Sequence, residues 1–477
     1  MLKHNIPYHA DSTRLFERIA HLPWPIFLDS GQPRSDYGRF DILVAQPFVT
    51  LSSDEATQAN GPQFNSTIGR NGEVSVSDED AFTALRRLLA PYRAQALEGV
   101  PFAGGAVGYF SYDLFRQLEH LPKPAKNQAA IPHMQVGLYD WAVLVDHQEK
   151  TTCLVSHGFE ASTHENWQSL CRLFDAPQPS VAHDAKSDFC LTGAVGSNMS
   201  YPEYSKAFRR IKDYITAGDC YQVNLAQRFV ASARGDSWQL YKKLRELSPA
   251  PFMAYMKFAG LQVLSGSPER FLQLHGDHVE TRPIKGTRPR AHDAKQDAAL
   301  AKDLQSSTKD QAENLMIVDL LRNDIGKSCT IGSVKADKLF QLQSFANVHH
   351  LVSIVTGRLA KGKTAIDLLR GCFPGGSITG APKLRAMQII DELEPHRRGV
   401  YCGAIAYIGF DGNMDSNIAI RTAVYLEDEN ALGEISFYAG GGIVSDSELA
   451  QEHAEIQDKA SSLMKAMQYF SKGKFSS

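Results

Sequence analysis

The sequence predicts an α+β fold with mainly antiparallel strand pairing. The strand-like runs "GAIAYIGF" (403–410), "SNIAIRTAVYL" (416–426) and "EISFYAGGGIV" (434–444) follow one another across Asp-, Asn- and Gly-containing turns. That spacing leaves no crossover helix, which parallel neighbours need. "SPERFLQLHGDHVE" (267–280) alternates apolar and polar residues as half-buried strands do. Helical spacing appears in separate blocks, so helices flank the strands rather than alternate strictly with them.

The N-terminal elements come first. "PWPIFLDS", "FDILVAQPFVTL", "GGAVGYFSYDL" and "MQVGLYDWAVLVD" read as strands, and "DAFTALRRLLAPYRAQAL" (80–97) as a helix between them. "DAPQPSVAHDAKSD" (175–188) is rich in Pro, Ala, Ser and charge and poor in large apolar residues, which marks a boundary between 1–185 and 190–470. Beyond it follow a helix in "YSKAFRRIKDYITAGD", strands through Lys285, two long helices around 296–324, and a strand, a helix and the final meander.

Composition narrows the function. The chain has 477 residues, 43% of them apolar, enough for one large core or two to three ordinary ones. With 50 basic and 53 acidic residues the net charge is −3, so nucleic acid is not an expected partner. The first twenty residues lack the apolar core of a signal peptide and no 18 apolar residues run together, which points to a soluble, cytoplasmic protein away from membranes. Seven scattered cysteines form no CxxC pair and fit reduced thiols.

"GRLAKGKT" (357–364) satisfies the phosphate-loop pattern, with strand-like "HLVSIVT" before it and helical "AIDLLRGCF" after. An ATPase is therefore one reading. The other is that Thr364 with Asp367 caps a helix and Gly362 serves a turn. No later apolar strand ends in an acid suited to magnesium, which favours the second.

On a wheel of the last helix, "LAQEHAEIQDKASSLMKAMQYF", Ile456, Ala460, Leu463, Met467 and Phe470 fall within about 80° of Glu452. Glu455 and Lys459 border that buried stripe. In "KDQAENLMIVDLLRND", Asp310 and Glu313 align with Ile317, Leu320 and Leu321. Two helices that each turn an i, i+3 acid pair inward need a cation between them, and all-oxygen ligands point to Mg²⁺. The alternative is two unrelated solvated faces.

Three stretches suit an anion. "FPGGSITGAPKLRAMQIIDELE" has a glycine-rich turn and Pro382 where a helix begins. "YAGGGIV" (438–444) closes a strand on three bare glycine amides. In "SNIAIRTAVYL", Arg421 shares a strand face with Ala419 and Ala423, leaving space for a carboxylate. Each has a structural counterpart: a turn, a bulge, and an arginine paired with a protein acid.

These motifs, "SPERF", "RPIKGT", "AENLMIVDLLRND", "HHLVS", "FPGGSITGAPK", "AIRTA" and "AGGGIV" followed by E-x-x-E, resemble the chorismate-binding enzymes, in the same order, over about 200–465. "LPWPIFLDSG", "GRFDILVA" and "GGAVGYFSYD" are similar to the N-terminal half of the anthranilate- and aminodeoxychorismate-forming members. The resemblance implies a large, mainly antiparallel β-sandwich core flanked by helices, with the N-terminal half packed on the C-terminal half. Lysine at 285, where the anthranilate-forming members carry alanine, and Gln222, where the water-adding members carry a lysine base, imply an ammonia-using enzyme that makes aminodeoxychorismate from chorismate.

By the same resemblance Lys285 is a nucleophile that attacks C2 of chorismate, and Glu269 the acid that protonates the departing C4 hydroxyl. An amine attacks only when neutral, which calls for burial or for neighbouring cations such as Arg282 or Arg288; the bland reading leaves Lys285 in a solvated basic loop. Glu269 needs the opposite adjustment, a raised pKa. Mg²⁺ on Glu313 and Glu455, supported through water by Asp310 and Glu452, anchors the ring carboxylate with Lys459 and Gly440, Gly441 and Gly442. Arg421 and Tyr407 hold the enolpyruvyl carboxylate, and Gln222, Thr287, His350 and Thr379 line the pocket. Asp310 departs from the family's usual glutamate. "FLDS" (27–30) stands where the anthranilate-forming members bind tryptophan, which implies a tryptophan pocket at Ser30. No G-x-C-x-G elbow is present, so ammonia comes from solution or from a separate glutaminase subunit in a heterodimer. Two further readings are an anthranilate-forming enzyme and a non-catalytic subunit that binds tryptophan.

Overall fold

The computed structural model describes all residues except 34–37, 55–63, 70–71, 120, 122–130, 178–188, 292, 345–347, 429–431 and 472–477. Its described strands form a 13-stranded and a 12-stranded sheet, and every strand pairing within them is antiparallel. The two sheets face each other. Ile26, Ile42, Val44 and Val263 of the first pack against Val107, Tyr109 and Ile405 of the second in one buried cluster.

The outer face of the first sheet is covered by the helices Tyr201–Thr216, Ser237–Leu247 and Leu449–Tyr469, through Phe208, Tyr241, Leu244, Ile456 and Met467. The second sheet is covered by Ala81–Leu89, Thr308–Gly326 and Ala365–Cys372, through Phe82, Leu85, Val318, Ile325 and Leu369. This is the helix-flanked antiparallel sandwich expected from the sequence.

The two sides of the 175–188 stretch, which lies mostly outside the described residues, share both sheets. Ile26–Asp29 pairs with Phe252–Phe258, and Gly105–Phe110 pairs with Ala404–Gly409. Neither segment can complete its ladders without the other.

Three runs that read as single strands each change sheet midway. Phe40–Val44 lies in the first sheet and Val49–Asp54 in the second; Met134–Tyr139 lies in the second and Trp141–Asp146 in the first. "SNIAIRTAVYL" divides likewise into Met414–Ile418 and Thr422–Glu427, with Arg421 at φ 51° in the corner. Strict alternation across that corner, which put Arg421 on a strand face between alanines, is therefore corrected: a left-handed residue rotates the side-chain direction.

"GRLAKGKT" is a strand end, a turn and a cap. Gly357 is paired in the strand Val348–Arg358, and Thr364 and Asp367 form a reciprocal capping box on an eight-residue helix. Thr364 is thus occupied by protein and no amide cradle forms. All seven cysteines are free thiols, and no described helix is long and apolar enough to cross a membrane.

A fragment beginning at residue 190 should fail to fold alone, because strands 252–258 and 404–409 each lose a paired neighbour. The check is thermal unfolding by circular dichroism, with no cooperative transition expected.

Candidate active site

The site is assembled where strands change sheet. Glu269 lies between Leu261–Ser267 of the first sheet and Arg270–His275 of the second. The neighbouring corner, 419–421, is tied to it directly. Ile418 N donates to Glu269 O at 3.0 Å, Gly266 N to Arg421 O at 3.0 Å, and Ser267 Oγ to Ile418 O at 2.6 Å. Two residues 152 positions apart, 421 minus 269, are thereby fixed side by side.

Glu269 is 7% exposed and accepts a hydrogen bond of 2.9 Å from Ser377 Oγ. Burial raises its pKa from 4.5 to about 7, against the opposing pull of Ser377, Lys285 and Lys459. Ser377 escaped sequence reasoning: it stands inside the glycine-rich turn, and no periodicity connects it to a residue 108 positions away.

Lys285 is half-buried on the strand Ile284–Pro289, opposite Leu351. The pairing shifts register between Lys285 and Thr287, with Gly286 at φ 73°. A Cβ on Gly286 would stand 2.7 Å from Leu304 Cδ1 and 2.9 Å from Asp310 Oδ1. The missing side chain lets the Asp310 helix close over the bulge. Among the described residues the Lys285 ammonium makes no hydrogen bond or ion pair, while its charge acts on Glu269, Glu313 and Glu455. The flanking arginines are engaged elsewhere: Arg282 with Glu280 at 2.7 Å, and Arg288 with Asp303 at 2.7 Å and Asp310 at 3.2 Å.

Opposite stands the helix Leu449–Tyr469. Glu452 is buried and accepts from Ser447 Oγ at 2.6 Å; burial raises its pKa, aided by Glu455. Burial raises Glu455 too, but the Lys459 ammonium 2.7 Å away prevails and the carboxyl lies below its ordinary value. Glu313 is raised by burial despite Lys285 and Lys309.

The glycines act through absent side chains. Gly440, Gly441 and Gly442 are ladder residues paired with Ala226, Leu225 and Asn224. A Cβ on Gly441 would stand 3.1 Å from Glu452 Oε2 and 3.9 Å from Glu455 Oε1 and Lys459 Nζ, and one on Gly442 3.0 Å from Gln222 Cδ. Lys459 Nζ donates to Gly440 O at 3.0 Å.

Neither amide atom of Gln222, a fully buried residue, has a hydrogen-bond partner. His350 hydrogen-bonds with Thr287 Oγ1 at 3.0 Å; burial and then Arg421 lower its pKa from 6.5 to about 4. Arg421 has no ion pair among the described residues, and burial lowers its pKa. Thr379 turns its hydroxyl onto Gly375 O and Gly376 O.

Asp310, Glu313, Glu452 and Glu455 do not converge on one point. Among the described residues no three His, Cys, Asp or Glu side chains are spaced to hold a metal ion. Glu455 leans on Lys459, Glu452 on Ser447 and Asp310 on Arg288.

Tyr407 lies apart from this cluster. It lines a cavity of about 470 Å³ with Asp29, Ser30, Arg39, Arg270 and Asp415, and stacks edge-on with Phe102. Ser30, in the same cavity, gives both its N–H and its hydroxyl to Asp41, at 2.7 and 2.6 Å.

An enclosed acid facing an unpaired lysine, beside paired acidic helices and a free arginine, defines a site for a small polyanion. The chain belongs to the chorismate-binding enzyme family, whose sequence model, described as chorismate binding enzyme, matches residues 30–465. Aminodeoxychorismate synthase component 1 of Escherichia coli (strain K12) is 44% identical over 95% of both chains. Anthranilate synthase component 1 of Bacillus caldotenax is 36% identical over 92% of this chain and 88% of that one. Among solved structures, anthranilate synthase component I from Streptococcus pneumoniae TIGR4 superposes with a TM-score of 0.76 at 30% identity, covering 90% of this chain and 92% of that one.

Glu269→Gln tests the enclosed carboxyl. A raised folded-state pKa contributes stability that is complete below about 4.5 and lost as pH rises through about 7. Above pH 8 the variant should therefore melt higher than wild type, by up to about 3 kcal/mol in unfolding free energy. The difference should vanish near pH 4, as measured by thermal unfolding across the range.

Proposed function

We propose that the chain converts chorismate and ammonia to 4-amino-4-deoxychorismate, in the route to 4-aminobenzoate and folate. The observation that carries this reading is the Lys285 ammonium, unpaired among the described residues, whose charge acts on the buried carboxyl of Glu269. Lys285 Nζ, once neutral, forms a bond to C2. The two ring double bonds shift in turn and the C4–O bond breaks, with Glu269 delivering its proton to the departing oxygen so that water leaves. Ammonia then bonds to C4, the double bonds shift back, and the C2–N bond to lysine breaks. Arg421, unpaired and enclosed, suits the enolpyruvyl carboxylate through its planar fork. Tyr407, which lies in the other cavity, has no part in that grip.

Glu313 and Glu455, with Asp310 and Glu452 behind them, would hold Mg²⁺. An all-oxygen donor set and a glycine that leaves room between Glu452, Glu455 and Lys459 fit that ion, which commonly takes one or two carboxylates and completes its shell with water. When bound it supplies positive charge for the ring carboxylate. The relatives' name, component 1, supports a second component; a separate glutaminase subunit delivering ammonia in the cytoplasm fits the reaction.

The cavity at Ser30 suits an amino acid with a large side chain, and tryptophan is the ligand we assign. Polar groups of Ser30, Asp29, Asp415, Arg39 and Arg270 line the cavity, beside the Phe40 and Tyr407 rings. Saturating tryptophan should raise the melting temperature by several degrees, and Ser30→Phe should abolish the rise.

Incubation with chorismate, magnesium and ammonium, followed by mass spectrometry of the products, tests the reaction. Aminodeoxychorismate is expected from wild type and at least a thousandfold less from Lys285→Ala. Anthranilate as the sole product would overturn the assigned regiochemistry.

A further inference from the structure

The stretch "HHLVS" carries two histidines, and only the second, His350, stands among the residues of the site, bonded to Thr287. Successive residues of the strand Val348–Arg358 leave on opposite faces, so His349 points the other way. It is 2% exposed and spans two partners. The Asp297 carboxylate can only accept, so His349 Nε2 carries a proton and donates to Asp297 Oδ1 at 3.0 Å, while Nδ1 meets Ser344 Oγ at 2.7 Å. Asp297 also accepts from Arg290 Nε, Arg290 Nη2 and Ala291 N, each at 2.9 Å.

The helix that carries Asp297, Ala294–Ser306, has a single buried side chain, Leu304. Leu304 follows Asp297 by seven residues, which at about 100° per residue puts the two within roughly 20° on one helix face. A Cβ on Gly286 would stand 2.7 Å from Leu304 Cδ1, so Leu304 closes over the bulge next to Lys285. The helix is thus seated twice on the paired strands, at His349 and at Gly286. One apolar contact leaves a helix free to roll about it; the second contact stops the roll.

We propose that His349 is a positioning residue for Lys285: by holding Asp297 it fixes the helix Ala294–Ser306, and Leu304 of that helix fixes the Gly286 bulge and with it the direction of the Lys285 amine. A misplacement of about 1 Å at a reacting group can cost on the order of 100-fold in rate, so a contact distant from the substrate suffices. This rests on the Lys285 reading given above, and the experiment separates the two.

His349→Ala removes the bond, and His349→Gln returns an amide donor near the position of Nε2. Asp297→Ala breaks the same bond from the half-buried helix side without opening a space in the core. Hydrogen exchange of the full chain, read without substrate, should be roughly 10-fold faster than wild type in 284–289 and 294–306 for both alanine variants, with 252–267 unchanged. With chorismate, magnesium and ammonium, kcat for aminodeoxychorismate should fall roughly 10-fold or more in both, with KM for chorismate within about twofold, and His349→Gln should recover to within about 3-fold of wild type. Unchanged exchange overturns the proposal, as does a rise in KM alone or a loss of kcat that His349→Gln does not restore. An active wild type with undiminished kcat in both alanine variants overturns this proposal alone, whereas a wild type that forms no aminodeoxychorismate overturns the Lys285 reading and the proposal with it.

Discussion

Burial of several carboxylates in one region is the constraint the rest of the site answers. Glu269, Asp310, Glu313, Glu452 and Glu455 come from one strand corner and two helices and are crowded around Lys285 and Gly441. Four of them answer the crowding differently. Glu269 is sealed in and its pKa is pushed up to about 7, Glu455 is claimed by Lys459, Asp310 by Arg288, and Glu452 by the Ser447 hydroxyl. The cations that act on Glu269 are lysines, Lys285 and Lys459, and only a lysine can shed its proton and attack.

Holding that arrangement demands a rigid frame, which the interleaved halves provide. Both sheets take strands from either side of the 175–188 stretch, and the corners at Glu269 and Arg421 are hydrogen-bonded to each other. Close approach depends on two missing side chains. Gly286 admits the Asp310 helix and Gly441 admits the Glu452 helix, so acids on opposite walls face one space.

The same corners separate two sites. Arg270, adjacent to Glu269, pairs with Asp415 and lines the Ser30 cavity, whereas Glu269 faces Lys285. Successive residues thus serve different chambers. Tyr407 falls in the Ser30 chamber although the resemblance grouped it with Arg421, because motif order along the chain says nothing about which side of a strand a ring leaves from.

Local chemistry in the sequence was sufficient for the fold class, the capping box at Thr364 and the free thiols, since each depends on residues a few positions apart. Motif order pointed to Lys285, Glu269 and Arg421. Only the tertiary structure decided which apolar runs break across two sheets, that Ser377 binds Glu269, and that the three glycines act through missing side chains. Those facts join residues up to about 220 positions apart, and the interactions that join them, backbone ladders, burial and charge, exist only once both halves of the chain have closed on each other.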